Sequence, residues 1–196
     1  MAKIGFVSTL IPADLFKKKY ELGGITIFHI GEVLDNESGA YKCFECSMAT
    51  VAFNEDDVKA AFEEFKAKLA ASELATAKAQ KIAEIDAYDT SSAVNGFKLN
   101  GATVWLDKST RVGLMNSTSI TKAMGQPTTT LWLGESKMEV PCDTAIQLLS
   151  ALEMYALDCF NVTAAHKKAV SELTSIEEVK KYDITAGYPA QLKMEV

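Results

Sequence analysis

Apolar and polar positions change rhythm twice along the chain, and each change marks a region. The run Ile25-Thr26-Ile27-Phe28-His29-Ile30 is β-branched and aromatic, the composition that strands prefer. Asp35-Asn36-Glu37-Ser38-Gly39 is a dense turn signal, and a second strand-like run extends from Tyr41 to Val51. Residues 1–54 therefore read as a β-rich region containing a hairpin or two meander strands. His29 alternates with Phe28 and Ile30 and reads as a half-exposed strand residue.

At Asn54 the period becomes helical. Asn54 suits an N-cap, Glu55, Asp56 and Asp57 place negative charge in the first turn, and Val58, Phe62, Phe65 and Leu69 recur at helical spacing. An alanine-rich stretch carries the pattern on to Ile82 and Ile85. The spacing predicts a long connecting helix over 55–86, with two shorter helices broken near Ser72 as the alternative. About 30 residues at 1.5 Å each make a rod of roughly 45 Å. Phe62, Phe65 and Leu69 form an apolar stripe that a lone rod would leave partly in water, which points to self-association through this stripe. The competing arrangement has the N-terminal sheet covering the stripe within one chain.

Beyond Asp86 the pattern predicts a C-terminal α+β domain over 87–196, with two β-hairpins packed on helices. Phe97 to Leu106 is a strand, an Asn100-Gly101 turn and a second strand, a strong hairpin signal. Asp107 or Ser109 caps a short helix carrying Val112, Leu114, Met115, Ile120 and Met124, closed by Gly125 and Pro127. Thr128 to Leu133 is a β-branched strand, turned by Gly134-Glu135-Ser136 into Lys137 to Val140. Thr144-Ala145-Ile146-Gln147 reads as a capping box opening a helix to about Leu173, with Leu148, Leu149, Leu152, Tyr155 and Cys159 on one face. Ser175 to Glu178 is a second capping box, opening a short helix. Trp105 and Trp132 are expected to pack their hairpins onto that face, in one core. The overall class is α+β.

Composition narrows the chemistry. The chain has 196 residues, a hydrophobic fraction of 48% and a formal net charge of -6, so a core needs neither disulfides nor metals. An acidic chain without a basic face is poorly suited to phosphates, so nucleic acid is not an expected partner. No apolar run approaches the roughly 20 residues of a membrane helix, and the N-terminus lacks a signal peptide's apolar core. Synthesis and folding in a cytoplasm are expected. Cys43 and Cys46 form a C-x-x-C, but on a strand residues three apart face opposite ways, whereas redox and zinc pairs sit at a helix start or a tight turn. With Cys142 and Cys159 they read as buried structural thiols.

Catalytic constellations each lack a member. There is no nucleophile elbow, no phosphate-binding glycine loop, and the pairs Asp56-Asp57 and Glu177-Glu178 sit where helix N-termini already favour them. His166 reads as part of a lysine-flanked, solvated helix face. No catalytic, cofactor-binding or metal-binding residue is assigned, and no cofactor is expected.

The second half of the chain resembles a known family. Residues 82–190 contain, in order, the Asn-Gly hairpin, an aspartate opening a short helix (Asp107), a Thr-x-Trp strand (Thr130 to Trp132) and a long helix with an aromatic pair (Tyr155 and Phe160). This is similar to domain of unknown function 4376, found in phage and prophage proteins that include tail-fibre and tail-fibre-assembly proteins. The resemblance implies a non-enzymatic tail or baseplate-associated structural protein of a virion, made in the bacterial host cytoplasm. Its partners would be other tail or fibre components and copies of itself. A tail-fibre assembly chaperone is the alternative, and a small phage-encoded enzyme or host-modulating factor the second. Residues 1–54 carry no such resemblance.

Overall fold

A computed structural model describes residues 4–133 and 136–195. The chain divides into two compact units, Met1–Glu73 and Leu74–Val196. Strands β1 (Val7–Pro12), β2 (Lys19–Leu22), β3 (Ile25–Asp35) and β4 (Ala40–Ala49) precede helix α1 (Glu55–Asp89). Then come β5 (Phe97–Leu99), β6 (Ala102–Val104), α2 (Lys108–Ala123), β7 (Thr128–Leu133) and β8 (Ser136–Pro141). Helices α3 (Cys142–Glu172) and α4 (Ile176–Lys181) and the short β9 (Lys193–Met194) complete the order. The class is α+β.

In the first unit the four strands form an antiparallel sheet in the order β1-β4-β3-β2. Alternation along β3 and β4 sends Phe28, Ile30, Phe44 and Cys46 to one face. There Phe28 and Cys46 share a core with Val58 of α1. Phe62 is buried too, with its ring 5.2 Å from Phe6 and 5.5 Å from Phe44, and Phe65 lies 5.2 Å from each of them. The β3 register slips between Ile30 and Val33, where Gly31 has φ 69° and a Cβ would stand 2.7 Å from the Phe62 ring. Glycine there serves two needs at once: it admits a left-handed backbone and it seats Phe62.

The opposite sheet face carries His29, Tyr41 and Cys43, and the β1–β2 connection folds over it. Phe16 stacks 4.5 Å from Tyr41 and 5.5 Å from His29. His29 is thus 1% exposed, not half-exposed as its alternation suggested. Its Nδ1–H donates to the Lys17 carbonyl, and Nε2 lies 3.4 Å from Glu45 Oε2. Cys43 and Cys46 do lie on opposite faces, both buried as free thiols, and burial pushes both up from the ordinary cysteine range.

Helix α1 is one uninterrupted helix of 35 residues, not two broken near Ser72. Asn54 caps it, its Oδ1 accepting from the Asp56 and Asp57 N–H groups at 2.9 and 3.2 Å. Its last turns belong to the second unit, where Ile85 is buried, Lys78 Nζ donates to the Ser171 carbonyl at 2.7 Å and Asp86 pairs with Lys167.

The second unit has an aliphatic core. Leu131, Leu133 and Val140 of the β7–β8 hairpin meet Ala145, Leu148, Leu149, Leu152 and Tyr155 of α3, with Val94, Phe97 and Leu99. Asn100 (φ 47°) and Gly101 (φ 83°) make the tight β5–β6 turn that the Asn-Gly pair announced. Strand β9 adds to the far side of β5 in parallel, giving the order β6-β5-β9, a pairing the sequence did not reveal.

Expectations for α3 and β7 need correction. Helix α3 begins at Cys142 with Pro141 as N-cap and no side-chain cap, so Thr144 and Gln147 lie inside it instead of forming a capping box. The start is set by tertiary structure, since the Cys142 N–H bonds to the Pro127 carbonyl at 3.0 Å. On α2 Arg111 and Thr118 are buried, Leu114 and Met115 pack against the core, and Val112, Ile120 and the C-cap Met124 are exposed. Finally, Trp132 is 57% exposed and does not join Trp105 against the core. Leu131 and Leu133 take the inward parity of β7, which forces Trp132 outward with Thr128 and Thr130. Residues 134 and 135 of the turn expected at Gly134-Glu135-Ser136 lie outside the described residues. The Ser175–Glu178 capping box is present in both directions, Ser175 N donating to Glu178 Oε2 at 3.0 Å and Glu178 N to Ser175 Oγ at 3.2 Å. Among the described residues no helix is long and apolar enough to cross a membrane.

Candidate binding cleft

Within the second unit, the end of α1, the segment around Trp105 and the helices α2 and α3 enclose a cleft of about 420 Å³. Its geometry begins with a helix cap. Asp107, just before α2, accepts from the Thr110 N–H at 2.9 Å and from the Thr110 and Ser109 hydroxyls at 2.8 and 2.5 Å. These bonds, from Ser109 and then Thr110, hold its carboxyl well below the usual carboxylate range.

One turn on, the Arg111 N–H donates to the Asp107 carbonyl at 3.0 Å, so the cap fixes where Arg111 projects. Arg111 is only 6% exposed. A buried guanidinium needs partners on several sides. Its Nε donates to Glu153 Oε2 on α3 at 2.6 Å, its Nη1 donates to the Leu106 carbonyl at 2.7 Å, and the group lies 5.3 Å from the Trp105 ring. Nη2 has no hydrogen-bond partner among the described residues.

The apolar wall comes from α3. Leu157 and Phe160 line the cleft with Ala156 and the buried Cys159, and Phe160 is 65% exposed. The floor toward α1 is polar: Asp89 accepts from the Thr163 hydroxyl at 2.6 Å, and Thr163 also bonds the Tyr188 hydroxyl at 2.7 Å. Tyr155, on the inward side of α3, donates to the Val94 carbonyl at 3.1 Å, and burial pushes its phenol up to about 12.

The residues singled out from sequence fall elsewhere. Phe62 and Phe65 pack inside the first unit against Phe6 and Phe44, so the competing arrangement holds for them, and of the stripe Leu69 alone is exposed. His166 is a buried histidine and not part of a solvated face. Its Nε2–H donates to the Ala186 carbonyl at 2.8 Å, its Nδ1 accepts from the Tyr182 hydroxyl at 2.9 Å, and it stacks on Tyr188. It ties the segment after α4 to α3. Among the described residues no group of three His, Cys, Asp or Glu side chains is placed to hold a metal ion. Sequence reasoning named Asp107 and Phe160 but did not see that they converge, and it missed Arg111, whose i+4 spacing from Asp107 was the available signal.

An α+β unit with a hairpin, a capped short helix and a long amphipathic helix is thus the part of the chain that carries the cleft. Domain of unknown function 4376 (DUF4376) matches residues 76–186, and the chain belongs to this family. No curated protein and no solved structure matches the chain.

Proposed function

We propose that the protein is a non-enzymatic structural component of a bacteriophage or prophage tail or baseplate, residing in the virion and acting through protein–protein contacts. Its partners are other tail or fibre components and copies of itself. The observation that carries this reading is the exposed Trp132. Tryptophan is enriched where interfaces concentrate their binding free energy, and a large aromatic left in water costs solvation unless a partner covers it. Here it stands on the outer face of β7, opposite Lys137 and beside Thr130 and Glu139, an apolar anchor with polar neighbours. The resemblance to a domain found in phage and prophage proteins, tail-fibre and tail-fibre-assembly proteins among them, supports the setting. For self-association through α1, Leu69 and the exposed Ala67, Ala70 and Ala71 are the surface on offer.

Mass spectrometry of purified virions tests the reading. The protein is expected in the particles, and Trp132→Ala is expected to reduce its incorporation while leaving the circular dichroism spectrum unchanged. Absence from particles whose fibres nevertheless require the protein would replace this reading with that of an assembly chaperone.

A further inference from the structure

The cleft of the second unit offers an unusual combination: charges already answered from within, beside polar groups left open. Arg111 is paired with Glu153, Asp107 is occupied by Ser109 and Thr110, and Asp89 by Thr163. Against these three carboxylates stand Lys108 and Arg111, so neither an anion nor a cation meets a consistent field. The open groups are the Trp105 indole N–H, the Asn95 side-chain amide and Arg111 Nη2, which have no protein partner among the described residues. Thr118 Oγ1 is the fully enclosed side-chain polar atom without a partner there, so these three groups keep a side facing water. Leu157 and the exposed Phe160 add an apolar surface next to them.

We propose that this cleft is a carbohydrate-binding site, taking a neutral pyranose residue. A sugar ring is uncharged, presents a face of C–H groups and carries hydroxyls around its edge. The C–H face lies against Phe160 and Leu157. Its hydroxyls accept from the Trp105 N–H and Arg111 Nη2, donate to Asp89 and the Asp107 carboxylate, and do both with the Asn95 amide. Few, directed polar groups on a largely apolar wall are what fix a small ligand's orientation. The site binds and does not hydrolyse. Glycosidic cleavage needs a carboxyl that holds a proton, and here Asp107 is kept ionised by its cap, Glu153 accepts from Arg111 and Asp89 accepts from the Thr163 hydroxyl. This inference stands apart from the virion reading, since it concerns only the chemistry of the cleft.

The chain has two tryptophans, so Trp132→Phe leaves Trp105 as the single tryptophan, excited selectively above the tyrosine absorption. This full-length variant is titrated with glucose, galactose, mannose, N-acetylglucosamine and maltose. The expected result is a saturable change in Trp105 emission with at least one of them, weakened about tenfold or more by Phe160→Ala and by Asn95→Ala. Phe160 is exposed, so its truncation leaves the fold intact, and circular dichroism checks both variants. No saturable change with any of the five sugars overturns the proposal. A response that survives both substitutions also overturns it. If the sugars are silent while Phe160→Ala lowers incorporation into virions, the cleft is a protein contact and the proposal falls, with the structural role left standing.

Discussion

The two units use their aromatic residues in opposite ways. In residues 4–73 every aromatic side chain is buried or half-buried, and the exposed large apolar residues, such as Val7, Leu10, Leu22 and Val33, are aliphatic. In the second unit the core is chiefly aliphatic, and two aromatics, Trp132 and Phe160, stand in solvent. Aromatic rings bury the most area per residue, so a small sheet that must cover both faces consumes them in its own packing. A unit with a 31-residue helix to supply leucines can leave rings outside. Exposed aromatic surface is therefore found in the second unit, the one that carries the family domain.

The sharpest test of this contrast pairs two residues of the second unit. Leu149→Ala is expected to cost about 2–5 kcal/mol, as a fully buried leucine does, and Trp132→Ala about 0.5 kcal/mol or less. Urea denaturation measures both. A large loss at Trp132 would mean that the ring is packed within the unit. Next, Gly31→Ala in the first unit meets the Phe62 ring and a left-handed backbone at once, and a loss of about 1–3 kcal/mol is expected. Both tryptophans lie in the second unit, so their emission reports on it while far-ultraviolet circular dichroism sees both units. If the two transitions move together in Gly31→Ala, the units unfold as one and the contrast between them is only local.

A smaller effect is expected at the cleft. Glu153→Ala leaves the Arg111 guanidinium short of a partner, at about 1–2 kcal/mol, the value reduced because Glu153 is itself half in water. The acid limb gives the finest distinction. Asp107 has its carboxyl lowered in the fold, so its contribution is present above the ordinary carboxylate range and fades as pH falls through the lowered value. The stability gap between wild type and Asp107→Ala should narrow steadily below about pH 4. A gap that is flat with pH would show that the carboxylate's charge is not what the cap uses.

Much of this fold was legible because local chemistry determined it. Asn54 and Ser175 cap the helices they were expected to cap, Asp107 takes the cap that it shared with Ser109 as candidates, and Asn100-Gly101 turns its hairpin. What failed was mostly phase and cover. The flanking Leu131 and Leu133 fix the parity of β7, and weighing them above the size of Trp132 would have placed the ring outside. His166 continues the buried spacing Leu152, Tyr155, Cys159, Thr163 along α3, so the lysines beside it were the wrong guide. His29 had no such signal. Its burial depends on Phe16, brought over the sheet by a connection that no periodicity describes. The cleft was illegible for the same reason, since it joins residues from 89 to 160 through tertiary packing alone.

The parallel pairing of β9 with β5 sets an order of events during synthesis. Lys98 is matched with Lys193 and Leu99 with Met194, so the two strands meet only after β6, the β7–β8 hairpin and helices α2, α3 and α4 have been made. Until then the β5–β6 ribbon has an open edge, with its N–H and C=O groups free to pair with another chain. At translation speeds of about 5–20 residues per second, that edge stays bare for several seconds on every ribosome. Closing so long a loop comes late and gains its free energy last, which makes the nascent second unit most prone to wrong partners just before it is complete.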